Sequence, residues 1–294
     1  MITLTIQVPR INDSQWDYAV LARMWGEVMA AGDSAEVRFD FSRCDFLRPN
    51  AVVFLGGLAR LIRYRGGRAH FDVTTMQVYV RTNLEQNGFA YAMWADSSPW
   101  KGNSIPYRED LQLNEDGIVE YLKNNWLGCG WVNISHELTN AIASQMWEVY
   151  ANAFEHSGTR VGVLSCGQYF KQRKELVLAV VDFGVGIPSN ARFHTGNAAL
   201  PGGEAMRWAF TRGTSTAQKP GPRGMGLDLL KEFVRVSQGV LAIYSHDGYA
   251  CIDSSGEIYQ NSHAFFEGTL AQVTLRCDGN HYALSNETNT APYF

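Results

Sequence analysis

Between residues 2 and 8 apolar and polar side chains alternate as Ile-x-Leu-x-Ile-x-Val, the period-two pattern of a strand with one buried face. Asp13 then stands where a helix N-cap is expected, ahead of Trp16, Val20, Trp25 and Val28 at helical spacing, and Gly32 closes that run. Val37, Phe39 and Phe41 alternate again as a second strand. Pro49-Asn50 precede an apolar helix over 51–64 that stops at Gly66-Gly67. Ala69, Phe71 and Val73 predict a third strand, and 76–87 a helix before Gly88. Strand and helix in alternation predict a small α/β layer domain over residues 1–90. The stretch 91–113 breaks the pattern with Ser97-Ser98-Pro99, Gly102-Asn103-Ser104 and Ile105-Pro106, and reads as a connector. Trp94, Trp100 and Tyr107 leave a second reading open, an arm packed between domains.

Periodicity returns in 114–280. A helix is expected over 116–126. A longer one runs from Asn133 or Ser135 to about His156, with Leu138, Ile142, Met146, Val149 and Phe154 on its apolar side. Strands are expected over 161–165, 176–181, 240–244, 250–253 and 269–275, and helices over 204–210 and 226–236. The region after Gly186 looks irregular, and 281–294 reads as a loose tail. The aromatic residues Trp16, Trp25, Trp131 and Trp147 are expected in cores or at the domain interface. The fold class is α/β, in two domains.

Three short blocks in the second half carry candidate chemistry. Glu148 and Asn152 stand four apart, so both project from one side of the long helix. An amide oxygen such as that of Asn152 can occupy one position of an octahedral Mg²⁺ shell without adding charge. A carboxylate one turn away can orient or deprotonate a water or hydroxyl. Asp182 ends the run Leu176-Val177-Leu178-Ala179-Val180-Val181, which reads as a strand buried on both faces. There it can accept from an exocyclic amine such as that of adenine, while Gly184 and Gly186 let the backbone turn closely against a flat base. Gly224-Met225-Gly226-Leu227 opens a helix, where main-chain N–H groups favour phosphate. Arg212 and Arg223 add charge, and the Gly-, Pro-, Ser- and Thr-rich stretch 213–221 reads as a lid. No Gly-x-x-x-x-Gly-Lys-Ser/Thr pattern occurs.

Composition narrows the classes. Of 294 residues, 46% are hydrophobic and 18% charged, which supports packed cores and excludes a disordered chain. A net charge of -4 and no basic stripe argue against nucleic-acid binding. The five cysteines are scattered, with no Cys-x-x-Cys pair, as in a reducing cytoplasmic compartment. No apolar run reaches 18 residues, so no spanning helix and no membrane association are expected, and the strand pattern at the start leaves no signal peptide.

The block Trp147-Glu148-Val149-Tyr150-Ala151-Asn152-Ala153-Phe154-Glu155-His156-Ser157 resembles the N box of the GHKL group of ATPases, which includes histidine kinases and gyrases. Asp182-Phe183-Gly184-Val185-Gly186-Ile187-Pro188 resembles their first glycine box, and Arg223-Gly224-Met225-Gly226-Leu227-Asp228-Leu229 their second. The stretch from Glu204-Ala205 through Arg212-Gly213-Thr214-Ser215-Thr216 is similar to the segment before the lid in the anti-sigma kinase branch, and Gly268-Thr269 to the last nucleotide contact. The resemblance implies a Bergerat-type α/β sandwich, a mixed sheet covered by helices on one face. It implies ATP and Mg²⁺ as cofactors, Asn152 as metal ligand and Glu148 as catalytic base. Asp182 would hold adenine with Gly184, Gly186 and Ile187 around the ring and Thr269 in support. His156, Arg212, Thr214, Arg223, Gly224, Met225, Gly226 and Leu227 would complete the nucleotide site. More loosely, Val37-Arg38-Phe39-Asp40-Phe41-Ser42 with Phe46-Leu47-Arg48-Pro49-Asn50-Ala51 resembles a sulfate-transporter/anti-sigma-antagonist (STAS-like) domain. The regulated serine of the antagonist branch would fall near Pro49-Asn50, and no serine stands there.

Ser135-His136-Glu137-Leu138-Thr139 looks like a phosphoacceptor box, but it precedes Glu148 on the same expected helix and cannot swing against a γ-phosphate. His156 has no cysteine or second histidine at metal spacing and reads as structural or as a wall of the phosphate site. The expected function is an ATP/Mg-binding regulatory protein, a protein serine/threonine kinase or slow ATPase switch. The alternative is a nucleotide-gated interaction module without significant turnover. Protein partners, including a possible homodimer, are expected.

Overall fold

The computed structural model describes residues 2–94, 98–211 and 227–287. The first sheet is β1 (Leu4–Gln7), β2 (Glu36–Asp40) and β3 (Arg68–Asp72), parallel in the order β1-β2-β3. Its crossovers are α1 (Gln15–Ala30) and α2 (Pro49–Tyr64). Ser14 caps α1: its hydroxyl accepts from Asp17 N, and the Asp17 carboxylate accepts from Ser14 N. Asp13, expected as that cap, instead lies 3.4 Å from the Arg48 guanidinium. Trp16 is exposed, not buried as expected, while Trp25 does fill the core.

The second sheet has five strands: β4 (Ser104–Asp110), β5 (Val163–Phe170), β6 (Glu175–Asp182), β7 (Val240–Asp253) and β8 (Gly256–Arg276). Their order is β4-β5-β6-β8-β7, and every pairing is antiparallel. A mixed sheet was the expectation; antiparallel pairing follows from short reversals, as in the β7–β8 hairpin that absorbs three separately expected strands into two long ones. The connector stretch is not irregular either. After α3 (Val78–Gln86) and α4 (Phe89–Trp94), it supplies edge strand β4. Pro106 is tolerated at that edge, where the register shifts between Ile105 and Arg108.

β6 shows how the layers stack. Leu176, Leu178 and Val180 face one core, with Ile142 and Met146 of α6 (His136–His156) and Leu230 and Val234 of α9 (Asp228–Val236). Ala179, Val181 and Phe183 face the other, with Phe54 and Leu58 of α2 and Leu21 of α1. Helices therefore cover both faces of this sheet, not one. The run is apolar throughout because α1 and α2 are sandwiched between the two sheets. Gly56 and Gly57 permit this close approach. A Cβ on Gly56 would fall 2.2 Å from Tyr107 Oη, and one on Gly57 would fall 2.1 Å from Phe183 Cε2. Glycine inside a helix costs about 1 kcal/mol relative to alanine, and the two seated aromatic rings account for accepting that cost here.

The polar part of the same interface centres on Arg48, 1% exposed. Its guanidinium lies 3.0 Å from Glu175 at the start of β6 and stacks 4.5 Å from the Phe170 ring centre. In the second half, α5 (Glu115–Tyr121) is shorter than the helix expected over 116–126, continuing as a widened turn over Leu122–Trp126. The region after Gly186 is helical, as α7 (Ile187–Thr195) and α8 (Gly202–Ala209). The tail is anchored as far as Glu287. Tyr282 O accepts from Ser135 N and Tyr282 N donates to Asn133 O. Among the described residues no helix is long and apolar enough to cross a membrane.

Candidate functional site

A cavity of about 410 Å³ opens between α6 and the sheet, closed by α7, the end of α8 and the start of α9. That is within the range of small-molecule sites. Ser135 caps α6, its hydroxyl accepting from Leu138 N. Leu138, Ile142, Met146 and Tyr150 go to the core, and the opposite stripe, Ser144, Glu148, Asn152 and His156, lines the cavity. Each step of that stripe is one turn, so Glu148 and Asn152 stand as neighbours along the wall. Glu148 and His156 are half-buried and Asn152 is exposed at the mouth.

Asp182 lies opposite, at the end of β6, and is 3% exposed. In register across the sheet come Asp182, Thr269 of β8 and Ser245 of β7, one row of polar groups in an otherwise apolar floor. Gly184 N donates to Asp182 Oδ1 at 2.9 Å, and the hydroxyls of Ser157 and Thr269 are in hydrogen-bonding reach. Burial pushes the Asp182 carboxyl up to about 7, against the pull of those three donors, which are all uncharged. Ser245 Oγ lies 2.8 Å from Thr269 Oγ1 and accepts from Ile187 N at 2.7 Å, which pins the first turn of α7.

The two glycines of this turn do different things. Gly186 lines the cavity at φ +77, and a Cβ there would fall 3.0 Å from Ser245 Oγ. Gly184 does not line the cavity. A Cβ on it would fall 2.3 Å from Ser157 O, so it lets the turn lean on the end of α6, where Val185 N donates to Ser157 O. Ile187, Thr269 and Leu227 line the cavity with His156. Arg212, Thr214, Arg223, Gly224, Met225 and Gly226, and the lid reading of 213–221, lie outside the described residues.

Sequence reasoning missed several wall residues. Lys231 of α9 is only 5% exposed; its Nζ is 3.2 Å from Glu257 Oε2 and 4.9 Å from the Phe210 ring centre. The signal was present, since Lys231 stands on the Leu227-Leu230-Val234 stripe where an apolar residue belongs. Asn190 also lines the cavity and donates to His156 O. Trp208 and Phe210 supply aromatic surface. Ser245 hides in a strand pattern that gives no reason to single out one serine. α9 is tied to α6 by Gln145 Oε1, which accepts from Leu230 N at 2.5 Å.

Electrostatically, the described walls carry the carboxyl groups of Glu115, Glu148, Glu155, Asp182 and Asp228 against the single ammonium of Lys231. Among the described residues no cluster of three or more His, Cys, Asp or Glu is grouped for a metal. Glu148 and Asn152 do offer two hard oxygens on one wall, a set that suits Mg²⁺ when the remaining positions come from water and ligand phosphates. Set against known proteins, the chain matches no family model and no curated protein sequence.

Proposed function

We propose that this cavity binds an adenine nucleotide with Mg²⁺, and that the protein is an ATP-dependent regulator, a protein serine/threonine kinase or slow ATPase switch of the GHKL type, with a STAS-like first layer. One observation carries the reading. A buried carboxyl held by uncharged donors, Asp182, faces a Glu148/Asn152 wall across a single cavity. Such a carboxyl, which has no cationic partner among the described residues, suits a ligand that brings an N–H donor, as adenine does. Glu148 would orient or deprotonate a water or hydroxyl, and Asn152, one turn along, would hold the metal. Bound there, Mg²⁺ would neutralise phosphate charge that the carboxyl-rich walls otherwise repel. Calorimetry with ATP and ADP, with and without Mg²⁺, tests the assignment. Saturable binding that needs the metal supports it, and absence of binding in both conditions removes it.

Asp182→Asn is expected to weaken ADP binding roughly ten- to a hundredfold, the equivalent of a lost charge-assisted hydrogen bond of about 1.5–3 kcal/mol. The pH profile sharpens the test. The carboxyl is raised to about 7 in the fold, so near pH 6 only about a tenth of the protein holds the accepting carboxylate. ADP affinity should rise with pH through about 7 and level off above it, by up to about tenfold between pH 6 and 8. Stability runs the other way. The raised carboxyl favours the fold most at low pH, and that contribution is lost between about pH 4 and 7. In Asp182→Asn the pH dependence of binding should vanish; an identical slope in wild type and variant would assign it to another group.

A further inference from the structure

The wall that carries Asp182 has a second side. Asp182 points from β6 into the cavity, and the next residue, Phe183, points the opposite way, into the layer of α1 and α2. Phe183 is 7% exposed. Its ring centre lies 5.0 Å from that of Phe54 and 6.0 Å from that of Phe266, which are themselves 5.2 Å apart. The remaining side of the ring rests on Gly57 of α2, with no room for a methyl group. From the neighbouring strand Gly268 closes in as well. A Cβ on it would fall 2.2 Å from Asp182 O and 3.1 Å from Phe183 Cα. The backbone of Asp182-Phe183 is therefore gripped between α2 and β8, and α2 belongs to the first layer.

We propose that Phe183 and Gly57 are positioning residues for the ligand. The depth at which the Phe183 ring seats on Gly57 sets where the Asp182 carboxylate stands in the cavity, so the first layer governs how well the site tells an amine-bearing base from one without it. The inference rests on the reading of the cavity as an adenine-nucleotide site. A methyl group added to Gly57 meets the ring at a distance no real pair adopts. The ring cannot step sideways, because Phe54 and Phe266 flank it. The displacement passes to the strand end instead, and a hydrogen bond weakens steeply once its length and angle leave their optimum. Close-packed interiors transmit such shifts and do not absorb them. The coupling runs through direct contact, from helix to ring to the next residue along the chain.

The test compares Mg-ADP with Mg-IDP, which carries an oxygen where ADP carries the exocyclic amine. Wild type is expected to prefer ADP by tenfold or more. Gly57→Ala should lower that preference at least fivefold while leaving IDP affinity within about threefold. Phe183→Leu alone should lower it severalfold, since the shorter side chain leaves the seat loose. The double variant should regain most of the preference, because the shorter residue makes room for the methyl, giving a non-additive cycle. A general loss of structure moves both nucleotides together and leaves the ratio alone. Near-ultraviolet circular dichroism and a cooperative melt establish that each variant is folded, and should Gly57→Ala fail there, the Phe183→Leu ratio decides. An unchanged ADP:IDP ratio in a folded variant overturns the inference while the nucleotide reading stands. A wild-type protein that binds neither nucleotide removes the reading, and the inference with it.

Discussion

A chain cut to residues 98–294 is expected not to fold, although it keeps all five strands of the second sheet and every cavity residue. Its sheet would lose the cover of α1 and α2. Leu164, Val181, Phe183 and Leu270, each buried in the intact protein, would face water. Burying such a side chain contributes roughly 1.5–3 kcal/mol. Four of them sum to roughly 6–12 kcal/mol, against a total stability of about 5–15 kcal/mol for an ordinary domain. The ion pair between Arg48 and Glu175 disappears with the same cut. The fragment should bind a hydrophobic dye strongly and melt without a cooperative transition. A cooperative melt together with the Mg-ADP affinity of the full chain would show that the second half is self-sufficient, against the shared core described above.

That shared core also marks where the sequence stops being readable. The alternation in residues 2–8 and 37–41, the long helix starting at Ser135, and the apolar run into Asp182 are all local patterns, and each is an element of the fold. Glu148, Asn152, His156, Asp182, Gly186, Ile187, Leu227 and Thr269 come together around one cavity for the same reason. Spacing on a helix and position at a strand end are local properties. What local pattern could not convey was partnership. Gly56-Gly57 fall inside the helix expected over 51–64, and nothing local to them names Tyr107 and Phe183 as the rings they seat. The region after Gly186 looks irregular, yet Pro188 sits in the first turn of α7, where no helical N–H is needed, and Gly196 closes that helix at φ +66. Pro106 and the Gly-Asn-Ser run masked an edge strand, because an edge tolerates what a central strand rejects. Lys231 is legible as a cation on an apolar stripe, but its partner, Glu257, is distant in sequence.

Glu148→Gln is expected to separate binding from chemistry. The substitution keeps the size of the side chain and its place on the α6 stripe, one turn from Asn152, but removes the basic oxygen. On the proposed reading Glu148 acts as the base toward a water or a protein hydroxyl, and such a group contributes about 10²- to 10⁴-fold in rate. Release or transfer of the γ-phosphate should fall by that factor, while the Kd for Mg-ATP stays within about threefold. Asn152→Ala should do the reverse, weakening ATP in the presence of Mg²⁺ and leaving metal-free binding alone. Asp182→Asn should act earlier still, on the base. Three residues of one cavity then give three distinct signatures, which a collapsed or distorted pocket does not produce. The assay is γ-labelled ATP with Mg²⁺, with and without cell lysate, which distinguishes free phosphate, labelled protein and intact ATP. Wild-type turnover in Glu148→Gln would remove the base from this residue. ATP that is bound but left intact by the wild-type protein, with lysate present, would favour the nucleotide-gated interaction module over the kinase or ATPase. In that case Glu148 serves to hold the metal and to report the γ-phosphate to a partner, and its substitution should change partner affinity in place of rate.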